Sequence, residues 1–209
     1  MIFHNYKTIF IHIPKAGGTS IENLLWPDIS TRTHSDLWMG FILPHFNKYQ
    51  TGGLQHLLAK QVKEEVGSLF FDTYYKFTIV RNPWIKAVSQ YVYILGREDL
   101  KKFIHMKSDA SFLEYLSLII KIEHVQWKSQ IDFIIDNNGD QLVDDYFKLE
   151  EIEQNYEKLS SKIGINFHKL SHANKGNYSS YKDFYTKESI EMVSEIYKKD
   201  INYFRYEYN

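Results

Sequence analysis

The stretch from Ile9 to Leu25 limits what this chain can fold into more than any other. It reads Ile-Phe-Ile-His-Ile-Pro-Lys-Ala-Gly-Gly-Thr-Ser-Ile-Glu-Asn-Leu-Leu. Ile9–Ile13 is an apolar, β-branched run and predicts a buried strand. Pro14 and the Gly17-Gly18 pair break it. Thr19 and Ser20 then open a helical pattern with Ile21, Leu24 and Leu25 on one face. A strand that enters a helix through a glycine loop presents backbone N–H groups and a helix N-terminus to a phosphate-like anion. Gly17 and Gly18 let the main chain approach a ligand closely, and Lys15 adds a mobile positive charge. Lys15, Ala16, Gly17, Gly18, Thr19 and Ser20 are therefore candidate anion-binding residues. A plain glycine turn between a core strand and a helix is the other reading of the same residues. The lysine precedes the glycines, whereas the Walker pattern G-x-x-x-x-G-K-[ST] places it after them.

With 209 residues, 44% hydrophobic and 24% charged, the chain has enough apolar surface for one sizeable α/β domain, taken as residues 1–209. The net charge of −1 gives no bulk attraction for nucleic acid or an acidic membrane, so a polyanionic ligand has to be held by local charge. Cysteine is absent, which excludes disulfides, thiolate metal sites and a thiol nucleophile, and fits a reducing, cytoplasmic setting. The N-terminal residues show no signal-peptide pattern, and no apolar run is long enough to span a bilayer.

A second strand, Tyr74–Val80, runs directly into Arg81-Asn82-Pro83-Trp84-Ile85-Lys86-Ala87-Val88-Ser89-Gln90-Tyr91. Pro83 suits the first turn of a helix, where its missing N–H is not needed. Arg81 stands at the carboxyl end of the strand, where α/β sheets bind ligands. It offers a planar fork for a phosphate, and Ser89, two helical turns on, offers a hydroxyl. A salt-bridged arginine and a helix-surface serine form the alternative.

Residues 26–49 carry no regular pattern and hold His34 and His45. They shape either an acceptor site or a surface excursion with its own aromatic cluster. A glycine turn at 51–55 brings His56 to the start of a helix with Leu57, Leu58, Val62 and Val66 apolar and Gly67 as its stop. Further along, the pattern predicts a helix from Ser111 to about Gln130, a turn at Asn137–Asp140, a strand over Leu142–Leu149 and a helix from Glu151 to Lys162 ending at Gly164. A polar loop runs from Leu170 to Tyr178. The last helix starts from Thr186 as N-cap, and its Tyr-rich tail is expected to pack back on the sheet.

The loop Pro14–Ser20 resembles the 5′-phosphosulfate loop of sulfotransferases that use 3′-phosphoadenosine 5′-phosphosulfate (PAPS), notably the group related to carbohydrate sulfotransferases. The Arg81–Tyr91 segment resembles that family's 3′-phosphate motif, Arg-[Asp/Asn]-Pro-x-x-Arg-x-x-Ser-x-Tyr. Arg81, Asn82, Pro83, Ser89 and Tyr91 match it, and Lys86 stands where arginine is commoner. The resemblance implies a three-layer α/β sandwich around a central parallel sheet, similar to the P-loop nucleotide kinases. It implies PAPS as sulfuryl donor, no metal, and a hydroxyl acceptor on a saccharide or glycosylated small molecule. Eukaryotic Golgi relatives carry a membrane anchor ahead of this domain, so the chain is expected to be the bare catalytic domain.

In the family, a histidine just before such a helix acts as general base, which implies that role for His56, with His45 and His34 as fallbacks. An imidazole has an ordinary pKa of about 6.5 and suits proton removal near neutrality. A basic, glycine-containing loop closes over the 3′-phosphate in many members, which implies Lys175 and Gly176; a mobile surface loop is the alternative there. Two rival readings fit the same residues. A P-loop kinase using Mg-ATP would want its lysine after the glycines and an acidic strand end for magnesium. A non-catalytic nucleotide-binding module would keep the pocket without turnover.

Overall fold

The computed structural model describes residues 1–25, 56–167, 169 and 178–209. Within them the order is β1 (Ile2–Phe3), β2 (Thr8–Ile11), α1 (Gly18–Leu25), α2 (Ala59–Val66), α3 (Ser68–Thr73), β3 (Tyr75–Val80), α4 (Pro83–Leu95), α5 (Glu98–Phe103), α6 (Phe112–Ile119), β4 (Asp145–Lys148), α7 (Tyr156–Ile163), α8 (Lys187–Ile196) and α9 (Lys198–Phe204). The chain divides into two compact units, Met1–Val80 with Asp132–Asn174, and Arg81–Ile131 with Lys175–Asn209. Neither is a continuous stretch of sequence.

The first unit holds a four-stranded mixed sheet in the order β1-β2-β3-β4. β2 and β3 are parallel, with Thr8 opposite Tyr75 and Ile11 opposite Thr78. β3 and β4 are parallel, with Phe77 opposite Asp145 and Val80 opposite Lys148. β1 turns back antiparallel on β2 and makes the edge, a strand the sequence pattern did not predict. The three parallel strands end at one edge of the sheet, and that is the edge from which α/β folds present ligand loops.

Alternation sorts the two faces. Phe10, Phe77, Ile79 and Phe147 point to one side, where Ile21 and Leu25 of α1 and Leu159 and Ile163 of α7 join them in one buried cluster. On the other side the Lys76 ammonium lies 5.5 Å over the Phe71 ring of α3. The buried Thr78 hydroxyl donates to the Ile11 carbonyl at 2.7 Å and ties β3 to β2 beyond the ladder.

In the second unit α4 is capped by Asn82, whose Oδ1 accepts from the backbone N–H of Trp84 at 3.0 Å and of Ile85 at 3.4 Å. Its core is aromatic: Tyr91, Phe112 and Tyr115 pack ring against ring, with Tyr91–Phe112 and Tyr91–Tyr115 centroids both 5.5 Å apart. The Tyr-rich tail, expected on the sheet, lies against α4 and its neighbours instead. Tyr208 meets Trp84, Tyr181 and Tyr185, and the Asn82 amide donates to the Glu207 carbonyl at 2.9 Å.

Three predicted elements are shorter than their patterns. The helix from Ser111 ends at Ile119, because the following residues form their own turn: the Trp127 indole donates to the Ile122 carbonyl at 2.6 Å and His124 caps Gln126 at 3.1 Å. β4 covers only the last part of Leu142–Leu149, and a 3-10 turn over Leu149–Asn155 takes the place of the expected first helical turns before α7. The last helix is broken into α8 and α9 at Tyr197 (φ −109°, ψ 25°). The predicted stops at Gly67 and Gly164 adopt positive φ, 81° and 78°.

Candidate functional site

β2 ends at Ile11, and the loop that follows is built on His12. Its ring is buried, stacks on Phe10 at 5.6 Å, and brings Nδ1 to 2.8 Å from the buried Glu22 carboxylate of α1. The ring therefore lies under the first turn of α1. A Cβ built on Gly18 would fall 2.0 Å from His12 Nε2, so no side chain fits at that position. Gly17 has φ +86°, and a Cβ there would stand 2.9 Å from Leu149, the residue after β4. Each glycine thus answers to a named neighbour.

Lys15 has φ +62°, a conformation that costs an L-residue with a Cβ roughly 1–2 kcal/mol. His56 has the same φ of +62°. The other non-glycine residues with positive φ among those described are Lys7, His105 and Arg205, and each sits at the close of a short helix. Lys15 and His56 do not, so their strain has a different origin. Strain of this kind gathers where a side chain has to be aimed.

His56 lies against His12, three residues before Lys15 in the loop. His56 Nδ1 is 3.0 Å from the backbone carbonyl of His12, and the two imidazoles meet edge to face with centroids 4.6 Å apart. Nδ1–H donates to that carbonyl, which selects the tautomer with its lone pair on Nε2. Just beyond, Leu57 and Leu58 lead into α2, where the Gln61 side chain accepts from Leu58 N–H at 2.9 Å.

Inside the loop, Ala16 N–H donates to the Ile13 carbonyl at 3.4 Å and Ser20 N–H to the Gly17 carbonyl at 3.0 Å. The amides of Gly17, Gly18 and Thr19 lead the helix and have no intrahelical carbonyl available to them. Lys15, Gly17, Thr19, Ser20 and His56 are all half-buried, and Ala16 and Gly18 are buried beneath them. An open groove bordered by Lys60, Lys63, Gly67, Ser68 and Asp136 in the same unit takes in none of these residues.

In the second unit Arg81 is half-buried, and so is Ser89 on α4. Between them Lys86 is fully buried, its ammonium 4.9 Å over the Tyr197 ring and 3.5 Å from the Lys128 carbonyl. Burial pushes its pKa down to about 8, with Asp200 opposing that shift and Arg81 adding to it. Burial likewise raises Asp200 to about 6, against the pull of two backbone N–H groups and Lys86. Lys86 thus points into the core of its own unit. Lys175 and Gly176, His34 and His45, and the irregular segment 26–55 lie outside the described residues.

Sequence reasoning did not single out His12, Glu22, Gln130 or Asp200. His12 carried a signal, since it is a polar residue within an apolar strand run, but Gln130 and Asp200 carried none. Among the described residues no helix is long and apolar enough to cross a membrane, and no group of three or more His, Asp or Glu side chains is placed to hold a metal ion. No curated protein and no solved structure matches the chain. A family model does: it is that of the sulfotransferase family, and it matches residues 1–207, across both units and both motifs. The chain therefore belongs to the sulfotransferase family, whose chemistry is the transfer of a sulfuryl group to a hydroxyl acceptor.

Proposed function

We propose that the protein is a PAPS-dependent sulfotransferase, with residues 1–209 acting as one enzyme in the cytoplasm and a saccharide or glycosylated small molecule as acceptor. The observation that carries the reading is the parallel pairing of β2 with β3. The strands that run into the Lys15 loop and into Arg81 are neighbours, and they end at the same sheet edge. The residues fit the donor's two anionic ends. Glycine at 17 and 18 lets the loop pack closely on Leu149 and His12, a lysine stands beside them, and an arginine follows the next strand.

When bound, PAPS supplies the sulfuryl group. The amides of Gly17, Gly18 and Thr19 and the hydroxyls of Thr19 and Ser20 hold its 5′ end. Arg81 and Ser89 hold the 3′-phosphate, with Lys175 and Gly176 closing over it. Lys15 Nζ neutralises charge on the bridging oxygen as the S–O bond breaks. His56 Nε2 takes the acceptor's hydroxyl proton as the new O–S bond forms, and the His12 carbonyl fixes the ring for that task. The lysine does the neutralising that a metal would otherwise do.

A thermal shift tests the donor. 3′-Phosphoadenosine 5′-phosphate should raise Tm, by an amount equivalent to about 2.7 kcal/mol at a hundredfold excess over Kd, and Mg-ADP should not. The reverse result would replace this reading with a kinase. Lys15→Ala should lower transfer by about a hundredfold or more. His56→Ala at full rate with a saturating acceptor would remove His56 from the mechanism.

A further inference from the structure

Arg81 is fixed through its backbone by a side chain from a distant part of the second unit. Arg81 N–H donates to Gln130 Oε1 at 2.8 Å, and Gln130 Nε2 donates to the Arg81 carbonyl at 2.7 Å. Gln130 is fully buried, and its amide offers Arg81 the paired donor and acceptor that a neighbouring strand would offer. Gln130 is itself held. Its own N–H donates to Asp200 Oδ2 at 2.8 Å, and Ile131 N–H donates to Oδ1 at 2.9 Å. Asp200 is fully buried on α9. Directly after Arg81, Asn82 is locked by its cap on α4 and by the Glu207 carbonyl. With its own N–H and C=O bound and the next residue fixed, Arg81 has only its side-chain torsions left to vary. A guanidinium on so constrained a backbone swings from one fixed Cα, which narrows the directions from which it can meet a phosphate.

We propose that Gln130, braced by Asp200, is a positioning residue for Arg81, and that it sets the enzyme's preference for a nucleotide bearing a 3′-phosphate. The proposal rests on the reading of Arg81 as the 3′-phosphate ligand. Removing the Gln130 amide leaves two backbone groups of Arg81 without their partners. The backbone then shifts to find others, and the guanidinium moves with it.

Calorimetric titration of the full chain with 3′-phosphoadenosine 5′-phosphate and with adenosine 5′-monophosphate tests this. The ratio of the two affinities isolates the 3′-phosphate. Wild type should prefer the bisphosphate, and Arg81→Ala should lose that preference. Gln130→Met should lower it about tenfold while leaving the monophosphate affinity unchanged. In the Arg81→Ala background Gln130→Met should change nothing further. A merely structural role would lower Tm and reduce both affinities together, and that result overturns the inference. So does an unchanged preference in Gln130→Met. If Gln130→Met does not fold, Gln130→Glu keeps the acceptor for Arg81 N–H and loses the donor. A reduced preference there supports the inference, and a full one overturns it. Wild type without the preference, or Arg81→Ala retaining it, overturns the reading of Arg81 itself and is distinguishable from both.

Discussion

Gly18→Ala is a one-carbon change whose outcome depends on a single neighbour. The new Cβ would stand 2.0 Å from His12 Nε2, about 1.5 Å inside a normal contact. The imidazole cannot simply turn away, because its Nδ1 is 2.8 Å from Glu22 and the pair is buried. Either the ring leaves its carboxylate or the first turn of α1 lifts. Overpacking of this kind costs about 1–3 kcal/mol, and separating a buried pair moves the cost to the upper end. At about 2–4 °C per kcal/mol for a chain of this size, Tm should fall by roughly 6–12 °C. Differential scanning fluorimetry reads the shift.

The control is the same change in a His12→Ala background. With the ring gone, alanine is the better helix former, and Gly18→Ala should be neutral or stabilising by up to about 1 kcal/mol. The sign of the effect therefore reverses between the two backgrounds. A Gly18→Ala protein that melts with wild type, or an equal loss in both backgrounds, would refute the claim that His12 dictates glycine at residue 18.

Lys15→Gly should separate stability from activity: relief of the +62° backbone leaves Tm at or above wild type while transfer falls by about a hundredfold or more. Lys86 binds its proton less tightly when folded, with a pKa of about 8 against 10.5. The unfolded chain therefore holds more protons between those values, and stability should rise with pH across that window. Lys86→Met should remove that rise, as measured by denaturation at pH 7.5 and 10. The Tyr115 hydroxyl is buried without a hydrogen-bond partner among the described residues, so Tyr115→Phe should leave Tm unchanged or higher; a fall above about 1 kcal/mol in urea denaturation would contradict it.

The strands and helices that lead into both motifs were legible because their patterns are local: β-branched runs for β2 and β3, and Pro83 for the start of α4. Family membership was legible for the same reason, since each motif is contiguous. What supports the site was not. His12 reads as part of a strand until Gly18 is seen to lie over it. Gln130 and Asp200 are 49 and 119 positions after Arg81, counting from 81 to 130 and to 200, and nothing in their local patterns marks them. The edge strand β1 was missed because two residues carry no period. The long helix expected from Ser111 failed because a side chain, Trp127, claimed a backbone carbonyl that helical periodicity cannot weigh.

The strand pairing also governs how this protein can be made. Thr8 waits for Tyr75, and Phe77 waits for Asp145, so each neighbour in the sheet is synthesised 67 or 68 residues after its partner (8 to 75, 77 to 145). At 5–20 residues per second, each wait lasts roughly 3–14 s. During the second wait, the sequence Tyr-Lys-Phe-Thr-Ile-Val is an uncovered rim beside a ribosome-bound chain, and only a charge at Lys76 interrupts it. Slow translation or premature release before residue 145 therefore leaves an adhesive intermediate, and soluble yield should track the speed with which the ribosome reaches β4.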